Sequence, residues 1–357
     1  MAPAGITMVL GLYAGLLLIG VPLPALTARL AEVHAPLLVF GFVGTLVSLE
    51  RAVALRRWWA YAAPLLLVVG AVLTLTPAPR VIGPALVLLG MLVHATQYLA
   101  IWRRQPMTAT SVQALGATAG AAAALVWCAG TPVASLVPLL AAFLVLTIAG
   151  ERLELARIAI TGIAPERMLF ALSLALTLAA LLALTVPAVA VPAAGVVLVL
   201  MVAWLLRYDV ARVTVRHDGL PRYVAVCLLT GYGWLIVAGA AWLLGGSRTE
   251  GELYDAATHA VFLGFVITMI MAHAPIILPA VLQVTIPYHP VLYLPVALLH
   301  AGLLVRLVGG DAWGFVPALA VGGALSAAAI VLFAITAVTL TVRARRHPSR
   351  EVADVTA

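Results

Sequence analysis

Lysine is absent from this chain: all twenty of its basic residues are arginine, set against thirteen acidic ones in 357 residues. Charge of either sign is scarce, at 9% of residues, while 64% are hydrophobic. That balance excludes a soluble domain of ordinary composition. The net charge of +7 is no nucleic-acid footprint, because the arginines sit in short connections between apolar runs, a distribution that orients membrane proteins. Only two cysteines occur, Cys128 and Cys227, both inside apolar segments and without a CxxC spacing, which points to inert packing. CxxCH is missing, so a covalently attached haem is excluded. Walker loops, nucleophile elbows and dinucleotide fingerprints are missing too. A basic leader does not precede the first apolar run, MAPAGITMVLGLYAGLLLIG, which is therefore expected to be a retained span.

What is present is a series of apolar runs of about twenty residues, which satisfy their backbone groups in lipid only as helices. Arg, Pro and Gly punctuation divides them into about twelve spans, at 5–26, 34–54, 59–77, 82–102, 111–130, 133–156, 167–187, 189–206, 221–245, 256–282, 288–308 and 313–342. The expected fold class is therefore all-α, a polytopic transmembrane helical bundle forming one domain over 1–342, with a cytoplasmic tail over 343–357. With the N-terminus cytoplasmic, sixteen arginines fall on the cytoplasmic side, and only Arg29, Arg80, Arg248 and Arg306 fall outside. Both termini are then cytoplasmic, and even-numbered helices run inward. Faint echoes, HAPLLVFGF at 34–42 with HAPIILPAV at 273–281 and SLERAVAL at 48–55 with AGERLELAR at 149–157, hint at duplication.

The stretch DAATHAVFLGFVITMIMAHAPIILPAVL, 255–282, is long enough to cross a bilayer and carries His259 and His273. On a regular helix fourteen positions place them about 21 Å apart and about 40° apart in azimuth, nearly one face. Ionisable groups at membrane depth point to a functional site. His34 opens the second span and His259 the tenth, so both are expected near the external face. His94, His273 and His300 are expected near mid-depth, and His289 in a turn. Two facing imidazoles suit a b-type haem iron. Gly41, Gly44 and Gly264 would let a flat macrocycle approach, and external arginines such as Arg29 and Arg306 would meet its propionates. Three mid-depth imidazoles suit copper or a second haem. The plainer rival for each histidine is a hydrogen-bonded packing residue. Glu50–Arg51 and Glu151–Arg152 end the second and sixth spans, as interfacial ion pairs or as the mouth of a proton path. Glu32 could orient His34 or an external arginine.

HAPLLVFGFVG at 34–44 and THAVFLGFVITMIMAHA at 258–274 resemble stretches of the NnrS family, bacterial haem- and copper-containing membrane proteins linked to nitric oxide stress, and the eleventh span ending at Arg306 is also similar. The resemblance implies haem ligation by His34 and His259, a metal site including His273, a bacterial inner-membrane location, and a nitric oxide or related redox role. SLERAVALRRWW replaces the family's Gly-rich ending after FGF. More distantly, the layout is similar to the haem-copper oxidase core subunit, but its HPEVY-type helix and His-His pair are lacking, which argues against terminal oxidase activity. Two further classes stay open: a proton-coupled secondary transporter using the mid-depth histidines, with Pro275 and Pro279 breaking the tenth span, and a membrane chaperone for metal-enzyme assembly.

Overall fold

A span whose backbone bonds must close within lipid folds as a helix, and every apolar run does so. The computed structural model describes residues 2–24, 26–27, 29–157, 162–282 and 284–346, and these contain helices and no strand. Ten helices are long and apolar enough to cross a membrane. They are α2 (Ala31–Leu55), α4 (Ile82–Arg104), α5 (Thr108–Cys128), α6 (Val133–Ala156), α7 (Ala164–Leu182), α8 (Pro187–Tyr208), α9 (Leu220–Gly245), α10 (Glu252–Pro279), α11 (Pro290–Ala312) and α12 (Val316–Arg346). Two shorter apolar helices, α1 (Ala2–Leu18) and α3 (Trp58–Leu73), occupy the places where the sequence predicts the first and third spans. Each stops early for a local reason. Gly20 takes a left-handed conformation with φ 79° ahead of Pro22 and Pro24, and prolines 77 and 79 follow α3. The tail expected from 343 continues α12 as far as Arg346; the rest of it, with His347, lies outside the described residues.

Helices adjacent in sequence pack side by side in a ring, which closes where α1 meets both α2 and α12. Three helices lie deeper than the rest. The apolar windows of α2, α6 and α10 are 56%, 78% and 61% buried, against at most 50% in any other long helix. The core helices thus recur every four elements. α6 packs against α5, α7, α8 and α10, and α2 meets α10.

Inside α2, α10 and α11 the turns widen to π geometry, over Leu37–Gly44, Ala260–Ile267 and Val305–Ala312. Such wide turns are rare in ordinary helices and concentrate at functional sites. Those in α2 and α10 each follow a histidine, His34 or His259, and each contains a Gly-Phe-Val run at 41–43 or 264–266. Gly264 has a packing reason: a Cβ there would collide with the Trp234 side chain on α9. α2 ends through Arg56, the one non-glycine residue with positive φ among those described, at 52°, whose N–H closes onto the Ala52 carbonyl.

Candidate functional site

The buried charges gather where the three core helices run side by side, at the end opposite His34. α2 supplies Glu50 and Arg51, α6 supplies Glu151 and Arg152, and α10 supplies His273. Arg51 Nη2 donates to Glu50 Oε1 at 2.9 Å and to Glu151 Oε1 at 3.1 Å, so one guanidinium nitrogen bridges carboxylates from two helices. Its Cζ lies 6.0 Å from the centroid of the Tyr98 ring. Among the described residues no hydrogen bond reaches the second oxygen of either glutamate.

Arg152 turns the other way. Its Nε and Nη2 donate to Asp209 Oδ2 and Oδ1 at 2.7 and 3.0 Å, a bidentate pair only 3% and 2% exposed. Asp209, the residue after α8, also accepts the Tyr232 hydroxyl at 2.7 Å and the Ala211 N–H at 2.8 Å, so both carboxylate oxygens are shared between donors. The remaining Arg152 nitrogen, Nη1, stands 3.3 Å from His273 Nε2. His273 Nδ1 lies 2.7 Å from the Met269 carbonyl, which accepts from it and leaves Nε2 to accept from the arginine. Chain order hid most of this: Asp209 and Arg152 are 57 positions apart. Nothing singles Asp209 out in sequence, because it lies in the polar connection RYDVARVTVRHDGLPR at 207–222.

Glu50, Glu151, Thr147 and His273 line a cavity of about 480 Å³ whose other walls are apolar side chains of α1, α2, α6, α10 and α12, among them Met8, Phe42 and Phe333. Its size lies within the about 300–1,000 Å³ of small-molecule sites, and a mostly apolar wall with a few convergent polar groups is their common composition.

The opposite end carries a second cluster. Arg306 Nε and Nη2 grip Asp255 at 2.7 Å each, and His259 Nδ1 lies 3.0 Å from the Asp255 carbonyl and 3.1 Å from its side-chain Oδ1. His34 Nδ1 lies 2.7 Å from the Gly11 carbonyl on α1, within electrostatic range of His259 and Arg306, and its ring lies close against Gly15. The structure therefore brings together His34, His259 and Arg306 among the residues singled out in sequence. Arg29 is elsewhere, donating to the Thr76 and Ala78 carbonyls at 2.9 Å. Glu32 pairs with Arg80 at 3.3 Å.

The three histidines expected at mid-depth occupy separate neighbourhoods. His94 donates from Nδ1 to Gln97 Oε1 at 2.8 Å, an orientation fixed because the Gln97 amide donates to the Ser48 and Ala60 carbonyls. His300 Nδ1 accepts from Trp234 Nε1 at 2.9 Å, and His273 faces Arg152 as above. Among the described residues no three His, Cys, Asp or Glu are placed to share a metal ion. For a haem between His34 and His259 the donor atoms fit, since both Nδ1 atoms are anchored and neither Nε2 is engaged among the described residues. The expected space beside the glycines does not fit. Thr7 and Ala71 cover Gly41, Leu67 and Phe143 lie by Gly44, and Trp234 covers Gly264. His289 accepts the Val291 N–H at 3.1 Å as part of a turn. Both cysteines are free.

Fold and site together define a polytopic helical membrane protein with ionisable groups buried at the junction of its three core helices. The chain belongs to the family described as a domain of unknown function, DUF8744, whose profile matches residues 1–342. No curated protein matches the chain.

Proposed function

We propose that this protein is a proton-coupled secondary carrier in a bacterial inner membrane, with twelve spans, both termini cytoplasmic, and a substrate site in the central cavity. The observation that carries this reading is the wall of that cavity, where Glu50, Glu151 and His273 from three core helices converge beside apolar side chains. On the same helix as His273, eighteen residues and about 27 Å away, the Asp255–Arg306 pair ties α10 to α11. A cavity at one end and an ion-paired closure at the other is the layout of one side of an alternating-access cycle, and the wide turns of α2 and α10 between them are the non-ideal helical segments carriers use. The positive-inside rule puts the cavity toward the cytoplasm in this state.

The test needs no knowledge of the substrate. Ala274→Cys places a thiol on the cavity wall, in a background with Cys128 and Cys227 replaced, and an impermeant maleimide is applied from either side of oriented vesicles. A carrier reacts mainly from the cytoplasmic side and gains reactivity from the external side when Arg306→Gln removes the closure. Reactivity from one side only, in both backgrounds, overturns the reading.

A second reading starts from the resemblance to the NnrS family, which implies haem ligation by His34 and His259 in a protein handling nitric oxide or electrons; the same two imidazoles could instead hold a single metal ion. Its support is the pair of anchored imidazoles with free Nε2 atoms at one end of the bundle. The filled positions beside Gly41, Gly44 and Gly264 favour a single ion over a macrocycle. Optical spectra of the purified protein, oxidised, reduced and with nitric oxide, with metal analysis on the same sample, test it. Stoichiometric metal or a Soret band lost in His34→Ala or His259→Ala supports it, and a colourless, metal-free protein from haem-replete cells overturns it.

A further inference from the structure

The charges around the cavity do not cancel. On α2 and α6, Glu50 and Glu151 share one partner, Arg51, through a single nitrogen. Arg152, the other buried arginine beside them, has both ends of its fork on Asp209 and its last nitrogen near His273. Three carboxylates thus meet two guanidiniums, and the surplus negative charge sits on the glutamates, whose side chains line the cavity. The other groups near them leave it uncancelled: Glu154 on α6 is exposed and adds negative charge, Tyr232 is already donating to Asp209, and α4 contributes His94 and Tyr98. The stretches of α1 and α12 that line the cavity carry only small or apolar residues. A carboxylate in an apolar wall is costly unless it holds a proton or meets a cation.

We infer that the cavity takes a lipophilic monocation, an apolar body with a single fixed or protonated positive centre, in exchange for one proton from the Glu50–Glu151 pair. This deepens the carrier reading and rests on it. The exchange balances: the O–H bond of one protonated carboxyl breaks, its proton passes to water, the electron pair stays on the carboxylate, and the bound cation restores the charge. Glu50 and Glu151 line the ligand space together with Thr147, one turn before Glu151, whose hydroxyl donates to the Phe143 carbonyl at 2.8 Å and keeps its lone pairs as acceptors. An anionic amphiphile of the same shape meets two carboxylates and no arginine in the cavity wall, so the cavity discriminates by sign.

The probes are tetraphenylphosphonium and tetraphenylborate, nearly identical in shape and opposite in charge, titrated by equilibrium dialysis into the full-length protein in detergent. The phosphonium is expected to bind more than about tenfold tighter than the borate, to bind more tightly as pH rises, and to release about one proton per cation into weakly buffered solution, by linkage. Glu50→Gln with Glu151→Gln abolishes the proton release, and Glu151→Asp restores it in part. Proton release from the unaltered protein needs no variant, so a misfolded double mutant does not remove the test. Equal binding of both ions without proton release overturns the cation assignment while leaving an apolar binding cavity in place. Binding of neither ion overturns this assignment, and the thiol-accessibility experiment then decides separately whether the carrier reading stands.

Discussion

Arg152 and Asp209 show how one buried pair constrains the core. Removing either partner strands the other charge at 2–3% exposure, and such losses cost about 3–5 kcal/mol. Arg152→Met is therefore expected to lower the thermal midpoint of the detergent-solubilised protein sharply. The double replacement Arg152→Met with Asp209→Leu, measured in the same assay, is expected to cost less than the sum of the singles, because neither charge is left alone. A steric counterpart sits at Gly264: alanine there collides with the Trp234 side chain and is expected to lose about 1–3 kcal/mol. Gly5→Ala, with no atom within 4 Å of the new methyl, is expected to leave the midpoint within the about 0.5 kcal/mol usual for such positions. Equal effects at the two glycines would contradict the packing described for α9 on α10. At this scale the sequence exposed the Glu-Arg pairs, since charge inside an apolar run is conspicuous. It could not reveal that Arg51 and Arg152 point to different partners, because that depends on rotation about each helix axis and on Asp209 arriving from another segment.

Between residues and bundle, the wide turns of α2 and α10 decide which groups share a face. The estimate that His259 and His273 lie about 40° apart assumes about 100° per residue throughout, and the eight-residue stretch Ala260–Ile267 lies between them. His259 faces Asp255 and His273 faces Arg152. Helical regularity was readable, but its interruption was not, since neither Gly-Phe-Val run is in itself a signal for π geometry. Depth alone grouped His94, His273 and His300, but each helix is rotated so that its histidine meets a different neighbour, Gln97, Arg152 or Trp234. Deleting Val39, inside the wide stretch of α2, resets Glu50 by about 100° relative to His34. The expected result is loss of phosphonium binding, while His34 keeps its contact with Gly11. Retained binding in that variant would show that the carboxylate's direction is set from elsewhere.

For the whole molecule, apolar run length located the ten long helices to within several residues, because lipid leaves the backbone no other choice. The inner position of α2, α6 and α10 was not legible, since every helix is apolar on most sides and burial among neighbours leaves little trace in such composition. Topology is directly measurable: with native cysteines replaced, Asp218→Cys between α8 and α9 and Ser247→Cys between α9 and α10 are expected to react with impermeant maleimide from opposite sides of the membrane. Reaction from one side for both would remove α9 as a span. The Arg152–Asp209 contact also sets an order of events during synthesis. Asp209 follows Arg152 by 57 residues, which at about 5–20 residues per second is roughly 3–11 s of translation. For that interval the arginine has no mate, and a lone guanidinium near a span's end reaches for the interface. The most buried helix of the bundle therefore waits at the lipid boundary and settles into the centre only after α8 has emerged, so the core of this protein closes late and from the inside.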